Sequence, residues 1–258
     1  MRKISFFIVV AFFLVFSFRT VEAAFFDFSD WDALLKKYTY DTTKENVHLT
    51  SVKYIFLKND KQFKDLISKL EKFPVSSLES YNEKLSFWIN VYNIMAVKII
   101  ADHYPVKSIK NIGGWLTPVW NKNAGIVGGK AYSLNDIEHR ILRKMGDPHI
   151  HAAIVCASVS CPNLATKSYK PDELNSQLDY QMERLLANEA KGFFVHQTES
   201  AIYISQIFNW FKKDFQKHGG VLTCIKKHAP IEARQYLKYV EKGSYSIKYF
   251  DFNWNLNE

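Results

Sequence analysis

Apolar and polar positions alternate along this chain with helical spacing over most of its length. An apolar run from Ile4 to Phe18 comes first, and shorter patterns follow. Ser29 or Asp30 is placed to cap a helix over Trp31 to Tyr38. Phe63, Leu66, Ile67 and Leu70 recur three and four apart, predicting a helix over 61–72 that Pro74 ends. The strongest pattern runs from Tyr81 to Tyr104. Leu85, Trp88, Ile89, Tyr92, Met95, Ala96, Ile99 and Ile100 fall on one stripe, and Phe87, Ile94 and Val97 fill a second. A helix apolar on most of its circumference belongs inside a core. Pro105 stops it.

Residues 111–132 change character. Gly113, Gly114, Pro118, Gly125, Gly128 and Gly129 surround Trp115, Trp120 and Tyr132, predicting a loop or hairpin held by aromatic anchors. Ser133 then caps a helix through Arg143. The short apolar run His149 to Cys156 reads as a buried strand, because Asp147-Pro148 precedes it and a polar loop follows. Pro171 to Asn188 has amphipathic helical spacing, and 193–196 with 201–204 reads as a hairpin. Segments 207–217, 221–228 and 231–239 read as helices, and the aromatic tail 245–254 as a strand that docks late. The predicted fold class is α+β: a helix-rich single domain with a small, mainly antiparallel sheet around a buried central helix.

The first 23 residues change the domain picture. Arg2 and Lys3, the apolar run and Val21-Glu22-Ala23 together read as a secretory signal, and the run is short for a bilayer span. The expectation is a signal peptide over 1–23, one domain over 24–258, no membrane span after cleavage, and a periplasmic or extracellular location. The formal charge of +8 falls to +6 once Arg2, Lys3, Arg19 and Glu22 leave. The lysines are scattered, without the basic stripe that nucleic-acid binding needs, so no nucleic-acid partner is expected. The partner instead is an unknown substrate or an envelope component. Cys156, Cys161 and Cys224 leave one thiol over if two pair.

Four stretches occur in order: Phe87-Trp-Ile-Asn-Val-Tyr-Asn93, Leu134-Asn-Asp-Ile-Glu-His139, Ile150 through Pro162, and the tail Tyr249 through Asn257. Together they resemble the domain of unknown function 547 family over roughly residues 30–257. The family occurs in bacterial exported proteins and, joined to a leucine-zipper region absent from this chain, in plants. The resemblance implies the fold more than any activity. In the tail this chain has Phe250-Asp251-Phe252 where the family usually has Tyr-Asp-Trp.

The chemistry concentrates in these stretches. Cys156, at the end of the expected strand, is the candidate nucleophile of a cysteine-dependent hydrolase or acyl-transferase. His139 is its candidate general base, and Asn90 the residue that orients the imidazole, a Cys-His-Asn arrangement. Ser158 and the amides of 157–161 are placed to hold an oxyanion. Glu138, His151, Cys161 and Trp115 are further candidates, Trp115 as groove lining. Two alternatives stand beside this reading. The same residues can form a non-catalytic core knot of a binding or scaffold domain, or Cys156 and Cys161 can pair, as a staple or for thiol–disulfide exchange. His149 and His151 with His139 and Cys156 make a weak zinc pattern, and neither a metal nor a cofactor is expected.

Overall fold

A computed structural model describes residues 25–114 and 117–258. The leader over 1–23 and Trp115 lie outside these residues. Helix α1 (Ser29–Tyr38) begins without the expected Ser29 or Asp30 cap. Instead Asp27 accepts from the Ser29 amide and hydroxyl, so the chain turns one residue earlier. The antiparallel strands β1 (Thr39–Lys44) and β2 (Val47–Val52) follow. Their turn residues Glu45 and Asn46 have φ of 50° and 64°, the left-handed pair a two-residue hairpin needs. Asp60 ends α2 (Tyr54–Asn59) and caps α3 (Lys61–Lys72) by accepting from the Gln62 and Phe63 amides.

Helix α4 (Tyr81–His103) opens on a capping box between Ser80 and Glu83. It is buried nearly all round, as its apolar circumference predicts, and organises the largest core. The hairpin of β3 (Asn123–Val127) and β4 (Lys130–Ser133) lies against it. A Cβ at Gly125 would stand 2.5 Å from Met95 Sδ, so a larger residue there would have to push the Met95 side chain aside. Ser133 and Asp136 then cap each other reciprocally. The helix that follows is a π-helix over Asp136–Leu142 that tightens into α5 (Arg143–Met145).

The apolar run before Cys156 is not a strand. It forms the short helix α6 (Ile150–Ala153), and the chain extends only from Ile154. The cause is tertiary. Asn93 of α4 donates to Ala153 O and accepts from the Val155 amide, so a side chain takes the backbone groups that a strand neighbour would need.

Helix α7 (Leu174–Leu186) joins the two larger cores: Leu174 and Leu178 belong to the core that α4 organises, while Met182, Leu185 and Leu186 belong to the second. Around the second core lie β5 (Phe193–His196) and β6 (Ala201–Ile204), then α8 (Gln206–Trp210), α9 (Lys212–Gln216) and α10 (Val221–His228). The expected helix 207–217 is broken at Phe211, and 231–239 divides into α11 (Ile231–Arg234) and α12 (Leu237–Glu241). Strand β7 (Ser246–Tyr249) pairs parallel with β6. The class is α+β and helix-rich. Its strands form three small sheets rather than one around α4, because each hairpin closes on itself and only β7 adds a third strand.

The last residues form no further strand, yet they fix the loop after Cys156. Val159 and Ser160 donate to Asn255 O and Asn253 O, and the Asn257 amide donates to Ala157 O. Asn257 itself is anchored by the Tyr54 hydroxyl and by Thr50 O.

Candidate active site

Cys156 and Cys161 are joined, S–S 2.10 Å, so in this state the residue expected as nucleophile carries no thiol. Cys156 is partly exposed and Cys161 is buried. Between them Ala157 adopts φ 58°, a left-handed conformation that costs a non-glycine residue about 1 kcal/mol and persists only where its surroundings impose it. The Cys156 amide donates to Cys161 Sγ at 2.9 Å, and Ser158 Oγ lies 3.0 Å from Cys156 Sγ. The amides of residues 159–161 are not free for an oxyanion. Two are bonded to the tail, and Cys161 donates to Ser158 O. Buried Lys191 holds the far side of the loop, donating to Val159 O, Cys161 O and Asn163 Oδ1.

Glu138 and His139 come from the π-helix, a rare conformation found mostly at functional sites. Burial lifts the Glu138 carboxyl to about 7, against the opposing hydrogen bond from Tyr92 OH at 3.2 Å. His139 is not placed to be a general base. The Arg143 guanidinium, which can only donate, lies 2.6 Å from His139 Nδ1. That nitrogen therefore holds the bound lone pair and the ring proton sits on Nε2. Burial, then the charge of Arg143, lowers the His139 pKa.

Arg143 also makes a two-pronged ion pair with Asp214 of α9, which receives His151 Nε2 at 2.9 Å on the same carboxylate. The Arg143 hydrogen bonds hold Asp214 down to about 2. Burial lowers His151 to about 4, so its ring is neutral at pH 7. With Nε2–H given to Asp214, Nδ1 carries a lone pair, and among the described residues no group donates to it. The ring stacks on Phe211, centroids 3.8 Å apart. Asp214 and His151 thus form an oriented acid–imidazole pair whose second nitrogen is unengaged.

These groups line one cleft of about 210 Å³. Its walls include Tyr92, Glu138, His139, His151 and both disulfide cysteines. Trp120, Trp210, Phe252 and Trp254 close its rim in a chain of ring contacts 4.5–5.8 Å between centroids. A larger cleft of about 570 Å³ lies elsewhere, lined mainly by phenylalanines at the start of the described chain and by 168–172. It contains neither cysteines nor imidazoles.

Residues 75–186, which supply Asn93, Glu138, His139, His151 and the disulfide, match the family model described as "Protein of unknown function, DUF547". Residues 75–186 are thus a DUF547 segment. This match is shorter than the span of roughly 30–257 covered by the four resembling stretches, and the tail lies beyond it. No curated protein and no solved structure matches the chain. Trp210, Phe211, Phe252 and Trp254 complete the cleft from outside the matched DUF547 segment, and Asp214, also outside it, holds His151. Among the described residues no helix is long and apolar enough to cross a membrane.

Of the residues singled out in the sequence, the DUF547 segment gathers Cys156, Cys161, Glu138, His139 and His151 in the cleft and places Ser158 beside them. Asn90 does not orient an imidazole. Its amide donates to Tyr169 O and accepts from the Tyr169 amide, which uses it to hold a buried loop. Arg143, Asp214 and Tyr92 were missed as site residues. Arg143 was within reach of sequence reasoning, four residues after His139 on a helix; nothing in the sequence pairs Asp214 with His151.

Proposed function

We propose that this cleft performs thiol–disulfide exchange on a substrate dithiol, with Cys156–Cys161 as the reacting bond. The observation that carries the reading is a disulfide forming a wall of an aromatic-rimmed cleft that also holds a carboxyl poised near neutrality. A substrate thiolate attacks the more exposed sulfur, Cys156 Sγ. The bond to Cys161 breaks and its electron pair goes to Cys161 Sγ, where the Cys156 amide already donates. The second substrate thiol gives its proton to Glu138 and attacks the mixed disulfide, releasing Cys156 beside the Ser158 hydroxyl. Two electrons and the second thiol's proton have then passed from substrate to protein, the two cysteine thiolates take up protons from Glu138 and from water, and the same steps run in reverse on a disulfide substrate.

The trapping experiment follows from the order of attack. Cys161→Ser leaves Cys156 unable to resolve a mixed disulfide, so it should accumulate a covalent adduct with a cysteine peptide carrying an activated disulfide. Cys156→Ser should accumulate far less. Oxidised wild type should oxidise a dithiol peptide faster than the same concentration of a linear disulfide does. Equal rates would remove the reading.

A second reading rests on the Asp214–His151 pair. Once the disulfide is reduced, Cys156 shares the cleft with an imidazole that a carboxylate orients and whose Nδ1 is unengaged. That is the arrangement of a cysteine-dependent hydrolase or acyl-transferase, with His151 in the role first given to His139. Turnover of an activated ester only after reduction, lost in Cys156→Ser and in His151→Gln, would favour it over exchange.

Either chemistry fits an exported protein, since disulfides persist in oxidising compartments. Secreted material whose first residue is Ala24 would support periplasmic or extracellular placement, and retention of residues 1–23 would count against it.

A further inference from the structure

Away from the cleft, three metal-binding side chains from two parts of the fold meet at one point, with a carboxylate from a third beside them. His149 precedes α6, Asp179 lies on α7, and Cys224 and His228 occupy one face of α10, four residues apart. The ligand atoms of His149, Cys224 and His228 all lie within 4.8 Å of one another. His149 Nε2 and His228 Nε2 are 3.1 Å apart, and Asp179 Oδ1 stands 3.7 Å and 3.6 Å from them. Tetrahedral zinc bound by nitrogen, oxygen and sulfur at about 2.0–2.3 Å holds its ligands about 3.3–3.8 Å from one another, so these separations approach the required spacing.

The surroundings point the same way. Asp147 Oδ1 lies 2.7 Å from His149 Nδ1 and also accepts from the His149 amide. The Nδ1 proton is fixed by that carboxylate, so the lone pair of His149 sits on Nε2 and points at His228. A carboxylate behind a ligating imidazole is the usual second layer of a metal site. The His228 ring is buried, side chain 1% exposed, with Nε2 turned toward His149. Cys224 is the cysteine left over after the disulfide forms, and a bound cation would displace its thiol proton. Lys227 Nζ now lies 3.0 Å from Asp179 Oδ1, where positive charge is already accepted.

We propose that His149, Cys224 and His228 bind a divalent transition-metal cation of the zinc class, with the Asp179 carboxylate beside the two imidazoles. Three protein ligands leave a fourth position open, and the cation would tie α10 to the segment that leads into α6 and the disulfide. The histidine pair differs from the one expected in the sequence: His149 meets His228, while His151 is committed to Asp214.

Cobalt(II) titration of the untagged full chain, freed of metal by chelation, tests this. One equivalent should give the intense visible bands of a tetrahedral site and a thiolate charge-transfer band, both displaced by zinc(II). Cys224→Ala should lose the charge-transfer band. His149→Gln, at a partly exposed position, should abolish the tetrahedral spectrum while the far-ultraviolet dichroism stays unchanged. Asp147→Asn, which removes no ligand, should weaken affinity 10- to 100-fold. The absence of tetrahedral bands in wild type would overturn the assignment, as would bands that survive both Cys224→Ala and His149→Gln.

Discussion

At the level of single side chains, Glu138 is pulled in two directions. Burial favours its neutral form, while Tyr92 OH and the nearby Arg143 favour its charge, and burial prevails at about 7. An acid whose folded pKa lies above its unfolded value costs nothing below the unfolded pKa, because both states are then protonated. The cost grows between about 4.5 and 7 and is fully present above. Glu138→Gln keeps an acceptor for Tyr92 and removes the titration. It should therefore unfold later than wild type at pH 8, by up to about 3 kcal/mol, with the advantage fading toward pH 4.5. Paired denaturant titrations at the two pH values check this, and a pH-independent difference would contradict it. Lys191 is a second buried ionisable group, its amine lowered by burial to about 7 while three oxygen acceptors hold it in place. Lys191→Met should cost about 2–4 kcal/mol, because three oxygen acceptors lose their donor at once. A loss under 1 kcal/mol on chemical denaturation would mean that water replaces the ammonium.

Among the elements, α4 acts through two asparagines one turn apart. Asn93 fixes 153–155, immediately before Cys156, and Asn90 fixes Tyr169. Both substitutions to alanine should destabilise by about 2–4 kcal/mol, since each strands a buried backbone donor and acceptor. Only Asn93→Ala should also alter the rate at which a thiol reagent reduces the Cys156–Cys161 bond. Equal effects on reduction would show that α4 does not position the cysteines locally. The same asparagines mark how far the sequence could be read. Helices α3 and α4 were legible because period and cap are local signals. The 150–156 run was not: a short apolar segment has no decisive period, and a side chain 62 residues earlier settles its backbone bonding. Cys156, Cys161, Glu138, His139 and His151 were legible as reactive residue types within compact motifs. Their roles were not, because Arg143 decides which nitrogen of His139 is bare, and Asp214, 63 residues from His151, decides the other imidazole.

Across the whole molecule, the cleft lies where the two larger cores meet, and the chain's last residues close it. Tyr92 and Ile154 come from the α4 core, Phe211 packs on the second, and Phe252 and Trp254 come from the tail. That tail pairs with the disulfide loop through the amides of Val159 and Ser160 and is anchored on Tyr54 and Thr50, more than 200 residues away in sequence. Deleting 253–258 would therefore do two separable things. It would remove Trp254 from the rim, and it would release the backbone groups that hold Ala157 at its left-handed φ. Amide exchange at Val159 and Ser160 should accelerate by orders of magnitude, whereas exchange in the middle of α4 should change only as far as global stability falls. Trp254→Ala separates the two effects, since it opens the rim while the backbone pairing of 253–257 stays in place. If the proposed exchange chemistry needs the loop held rigid, the deletion should lose dithiol oxidation that Trp254→Ala largely keeps. Protection at Val159 and Ser160 that survives the deletion would mean the loop is held by Lys191 and the disulfide alone, and the tail would then serve only as a wall.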